Sequence, residues 1–82
     1  MPIFYYYDNM KTYLSIIFSS EGAPPSEVKN RLLELGFKAV KGSYDFVYEW
    51  NRDPHIDTLL WFADKVQATL KGMDVMFSLE TI

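Results

Sequence analysis

The chain contains no cysteine and a single histidine among its 82 residues. Without cysteine there is no disulfide, no thiolate nucleophile and no cysteine-ligated zinc, so stability must come from packing, and a reducing cytoplasm is the expected setting. One histidine leaves little for triad chemistry, which weighs against a hydrolase. Basic residues are scarce as well: eight Lys and Arg against eleven Asp and Glu give a net charge of -3. That balance weighs against a broad phosphate-binding surface, because non-specific nucleic-acid affinity rests on clustered cations. Long apolar runs are missing too. No stretch approaches the roughly 18 residues of a membrane-spanning helix, and the N-terminal leader lacks the positive n-region and small-residue cleavage site of a secretory signal. No membrane partner, cofactor or metal is therefore expected.

What is present is an aromatic-rich, ordinary globular composition. Hydrophobic residues make up 49%, aromatics 17% and charged residues 23%. A chain of this length forms one domain and buries only about 60 to 65% of its unfolded surface, so its core has to be efficient. The four glycines and four prolines fall mainly between periodic segments and mark their boundaries.

Read in order, Lys11 to Phe18 ("KTYLSIIF") is β-branched and partly alternating, which predicts strand β1, and "SSEGAPP" breaks it. Val28, Leu32 and Leu35 recur at helical spacing. They predict helix α1 over Pro25 to Leu35, with Pro24 and Pro25 suited to its first turn and Gly36 to its end. "FKAVKGSYDFVYEW" reads as a hairpin, β2 over Phe37 to Lys41 and β3 over Tyr44 to Trp50, with Tyr44, Phe46, Tyr48 and Trp50 on one face. Asp53 is the expected N-cap and Pro54 the first residue of helix α2, which runs to Leu70 with a stripe of Ile56, Leu59, Leu60, Ala63, Val66 and Leu70. Met73 to Thr81 predicts β4.

The order β-α-β-β-α-β across residues 11–82 resembles the split β-α-β, ferredoxin-like superfold, which implies an α+β antiparallel sheet with two helices on one face. Such a fold fixes architecture and leaves function to local sites. Residues 1–10 form a leader outside this unit. Three readings of it stand: an extra N-terminal edge strand or oligomer contact, a cover for the open sheet or Trp61, or a frayed extension upstream of a start at Met10.

Three regions are candidate sites. The β1-α1 loop offers Ser19, Ser20 and Gly22 before a helix N-terminus, where free N–H groups can hold an anion, although two prolines and Glu21 oppose this and the lysine and second glycine of a phosphate loop are missing. "DPHID" places Asp53, His55 and Asp57 at the start of α2, where residues two apart diverge by about 200° around the axis, so capping explains them better than a metal. The sheet face away from the helices should carry Tyr13, Ser15, Ile17, Asp45, Val47, Glu49, Asp74, Met76 and Glu80, opposite Leu14, Ile16, Phe18, Val75, Phe77 and Leu79. Tyr13, Ile17, Val47 and Met76 would leave an apolar patch in water, and Trp61 should project from α2 opposite its apolar stripe, so these five define the expected interaction surface.

Two local resemblances bear on nucleic acid. "KGSYDFVYEW" resembles the aromatic motif of RNA-recognition domains, offset in spacing, with its aromatics expected in the core. "LLELGFKAVKGSY" (residues 32–44) looks like the corresponding segment of VapD-type ribonucleases and the related small CRISPR adaptation subunits, a family that is ferredoxin-like and dimeric. That resemblance implies metal-dependent phosphodiester cleavage by an aspartate ending the first strand. Here the strand ends in Ser19, and the only strand-then-Asp pattern is "YYYD" at Asp8, upstream of it. The expectation from the residues is thus a small non-enzymatic binding or regulatory module, homo-oligomeric, contacting a protein or small-molecule ligand. The alternative is nucleic-acid processing of the metal-dependent ribonuclease type.

Overall fold

A computed structural model describes residues 10–82. Its elements are β1 (Lys11–Ile17), α1 (Pro25–Leu35), β2 (Lys38–Ala39), β3 (Phe46–Glu49), α2 (Ile56–Leu70) and β4 (Met76–Thr81). The four strands form one sheet in the order β2-β3-β1-β4, with every neighbouring pair antiparallel. The chain is thus an α+β domain whose six elements follow the expected sequence. The leader lies outside the described residues except for Met10, whose carbonyl accepts from the Trp50 N–H at 3.1 Å and whose side chain packs on the core.

Alternation works as expected along β1 and β4. Thr12, Leu14 and Ile16 are buried and face Thr81, Leu79 and Phe77 across the ladder. Leu14, Ile16, Phe46 and Trp50 join Val28 and Leu32 of α1 and Phe62, Val66 and Leu70 of α2 in one core cluster. Burial of a large apolar side chain stabilises by roughly 1.5 to 3 kcal/mol, which makes this cluster the main source of stability in so short a chain. Phe37, Tyr48, Trp50 and Phe62 pack edge-on or tilted within it, with centroids 4.4 Å apart for Tyr48 and Phe62 and 5.2 Å for Trp50 and Phe62.

Helix α1 has the predicted bounds. Pro24 is its N-cap and Pro25 its first residue, while the Gly36 and Phe37 N–H groups close the C-terminus on Leu33 and Leu32 carbonyls. Gly36 is left-handed there at φ 115°, as this cap requires. That closure removes Phe37 from β2, which shrinks to two residues, with one further bond from Val40 N–H to the Asp45 carbonyl.

Other expectations need correction. The N-cap of α2 is His55, not Asp53: its Nδ1 accepts from the Asp57 N–H at 3.2 Å, and Pro54 lies before the helix, buried. The buried stripe of α2 is Phe62, Val66 and Leu70, with Leu59 and Ala63 flanking. Ile56 and Leu60 are exposed instead, because the helix is turned so that the bulk of Phe62 fills the aromatic cluster. Phe18, expected to face the helices, lies beyond the end of β1 and is exposed. Strand β4 begins at Met76 rather than Met73, since Met73 still closes the helix end on the Leu70 carbonyl and Asp74 takes a left-handed turn at φ 57°.

The strict alternation expected of β3 also fails at its start. The Asp45 N–H donates to the Leu14 carbonyl although Leu14 is already paired with Phe46, so two consecutive residues face one residue of β1. This is a β-bulge, and it turns Tyr44 away from the face that carries Phe46. The Asp45 carboxylate then accepts from the Ile16 N–H at 2.8 Å, taking the place of a backbone carbonyl where β3 has ended.

Candidate functional site: the open sheet face

The face away from the helices is built from the odd-numbered residues of β1 and the even-numbered residues of β4. Tyr13 opposes Glu80, Ser15 opposes Ser78 and Ile17 opposes Met76. Chemistry changes along it. At one end Lys11 opposes Glu49, and Lys38 approaches Glu49 at 4.0 Å. At the other end Ile17 and Met76 are 66% and 71% exposed, beside a shallow hollow of about 190 Å³ lined by Ser15, Ile17, Met76, Phe77 and Ser78. Two large apolar side chains facing each other in water mark a surface suited to coverage.

Between these ends lies a cluster made by the bulge. Tyr44 stacks on Tyr13 with ring centroids 4.6 Å apart and 29° between planes, and its hydroxyl donates to Glu80 Oε1 at 2.6 Å. Its hydroxyl is held above the ordinary tyrosine range, first because ionisation would forfeit the hydrogen bond to Glu80, then through slight desolvation and the nearby negative charge. Sequence reasoning placed Tyr44 on the helix side. The signal it missed was Asp45, a short carboxylate at a strand start that can replace a ladder carbonyl.

The sequence-proposed surface is therefore only partly assembled. Tyr13, Ile17 and Met76 share the open face. Val47 lies on it by register, opposite Tyr13 and Lys38, but is buried, so it adds nothing to an exposed patch. Trp61 is 59% exposed on α2, with the Lys65 ammonium 5.6 Å from its ring centroid, and so lies on a helix away from the open sheet face. Asp74, expected on the open face, sits in the turn before β4.

The β1-α1 loop is held by its own bonds. Ser19 Oγ accepts from the Glu21 N–H at 3.1 Å, and the Ser19 carbonyl accepts from the Gly22 N–H. The Ala23 N–H donates to the Met73 carbonyl, which seats the loop on the α2-β4 turn, and a Cβ on Gly22 would lie 2.4 Å from that carbonyl oxygen. Close approach of two backbones accounts for Gly22. Ser20 is exposed, with no hydrogen bond among the described residues. Two members of the expected ligand set thus have roles in shaping the loop. Among the described residues no group of three or more His, Cys, Asp or Glu is placed to hold a metal, and no helix is long and apolar enough to cross a membrane. No family model, curated protein or solved structure matches this chain.

Proposed function

We propose that the chain is a small non-enzymatic binding or regulatory module of the split β-α-β, ferredoxin-like type, which works by self-association through its open sheet face and presents a contact for a protein or small ligand. The strand order supports the architectural part. The β1-α1-β2 and β3-α2-β4 connections each pass over one intervening antiparallel strand, as interleaved β-α-β units do. The observation that carries the functional part is the facing pair Ile17 and Met76, the most exposed large apolar residues of the sheet, beside their hollow. Covering both removes apolar area worth roughly 1.5 to 3 kcal/mol per fully buried side chain, enough to matter in an 82-residue chain. The proposed setting is cytoplasmic, since a cysteine-free chain has no need of an oxidising compartment.

Sedimentation equilibrium tests this reading. The wild-type chain should associate with increasing concentration, and Ile17→Asp, which puts a charge into the patch without altering the core face, should weaken association at least tenfold with unchanged circular dichroism. A chain that stays monomeric to about 1 mM, the weak limit of specific association, would refute it. Metal-dependent cleavage of RNA by the purified chain would refute the non-enzymatic part.

A further inference from the structure

Among the described residues strand β4 is an edge of the sheet, and its register with β1 determines which of its backbone groups face outward. Lys11 and Ile82 exchange both N–H···O bonds, at 3.0 and 2.9 Å. Antiparallel alternation then directs the amides of Glu80, Ser78 and Met76 at β1 and those of Phe77, Leu79 and Thr81 away from it. Among the described residues nothing pairs with that outer side. The strand also lacks the usual protections of an exposed edge: "MFSLET" has no proline and no lysine, and its one charge, Glu80, is engaged by Tyr44.

We propose that the outer edge of β4 pairs antiparallel with β4 of a second copy, across a two-fold axis at Leu79, joining two four-stranded sheets into one of eight. This refines the self-association reading and rests on it: of the facing pair it covers Met76 directly, while Ile17 lies one strand from the seam. The chemistry of the strand selects the register. With Leu79 opposite Leu79 of the second copy, Met76 meets Ile82 and Ser78 meets Glu80, each twice. Met76 and Ile82 are 71% and 60% exposed in the single chain and lie on the same sheet face, so each covers the other. The hydroxyl of Ser78 meets a carboxylate whose Oε1 is taken by Tyr44, leaving Oε2 to accept. The neighbouring registers are worse matched. Centring on Ser78 sets Met76 against Glu80, and centring on Glu80 opposes two like charges. An isologous contact of this kind closes on itself, so the assembly is a dimer and not a fibre.

The chain has no cysteine, so introduced thiols are the only ones present and their pairing pattern reads the register. Ser78→Cys mixed with Glu80→Cys should give a disulfide-linked dimer on mild oxidation in far higher yield than either variant alone. Like positions lie diagonally, about 7 to 8 Å apart, beyond easy bridging. In parallel, Ser78→Lys should tighten association and Ser78→Glu should weaken it, each by about two- to thirty-fold for two symmetric cross-strand pairs. A dimer that shows no excess of mixed cross-link and ignores the charge at position 78, yet still responds to Ile17→Asp, overturns the β4 pairing and leaves self-association standing. A monomer at every concentration overturns both.

Discussion

Among the described residues Thr12 is the one buried polar side chain in the core, and its replacement by valine tests how polar groups are accommodated there. The Trp50 indole N–H donates to Thr12 Oγ1 at 2.7 Å, and Thr12 Oγ1 is 2.7 Å from Thr81 Oγ1, so a chain of three groups runs from the residue after β3 through β1 to β4. Every buried side-chain polar atom among the described residues has a partner. Thr12→Val preserves shape and β-branching while leaving the Trp50 N–H, on a residue only 8% exposed, without an acceptor. An unsatisfied buried donor costs about 1 to 3 kcal/mol. Thr81 is half-buried and can turn its hydroxyl to water, so its share is small. With a urea slope of about 1 kcal/mol/M for a domain this small, the unfolding midpoint should fall by about 1 to 3 M. Circular dichroism is the appropriate probe, because Trp61 would contaminate fluorescence. In a Trp50→Phe background the same Thr12→Val change should be nearly neutral, because both partners are then apolar, giving a coupling of about 1 to 3 kcal/mol in the double-mutant cycle. A Thr12→Val variant as stable as the parent, or two effects that simply add, would refute the reasoning.

Three shorter predictions concern the loop and the bulge. Asp45→Ala should deprive the Ile16 N–H of its partner, accelerating amide exchange at Ile16 and costing about 1.5 to 3 kcal/mol as a charge-assisted bond, whereas Asp45→Asn should retain most of the protection. Gly22→Ala should destabilise by about 1 to 3 kcal/mol, because its Cβ would meet the Met73 carbonyl and Asp74 backbone and the two turns must separate, measurable as a lower midpoint in urea. The Tyr44 hydroxyl, raised above its ordinary value of 10.0 mainly by donating to Glu80, should titrate at lower pH in Glu80→Gln when followed by NMR. The sign follows from the raised folded value: the contact contributes fully below pH 10.0 and is lost only as pH rises through the Tyr44 pKa, so acidification down to neutral pH should leave it intact.

Periodicity made the element order and the core faces of β1, β4 and α1 legible, because residues such as Leu14, Ile16, Val28 and Leu32 have no competing face to occupy. It could not rotate α2. Ile56, Leu59, Leu60, Phe62, Ala63 and Val66 spread around more than one face, and only the aromatic partners Phe37, Tyr48 and Trp50, distant in sequence, decide that Phe62 goes inward. Element ends were set by bonds with no strong local signature: His55 capping with its ring, and Phe37 recruited by the α1 cap. The site suffered most from the bulge, since one residue out of register changes the face of everything before it.

That single residue links fold to proposed function. Because Asp45 consumes an extra position, Tyr44 lies on the open face instead of among the core aromatics, stacks on Tyr13 and engages Glu80. Glu80 is the only charge on β4, and an unopposed carboxylate there would be the main obstacle to pairing two such edges. The bulge thus supplies the group that holds Glu80 at the edge where the second copy is proposed to sit. Disturbing Asp45 should then weaken association as well as local stability, since release of Tyr44 leaves the Glu80 carboxylate unheld at that edge.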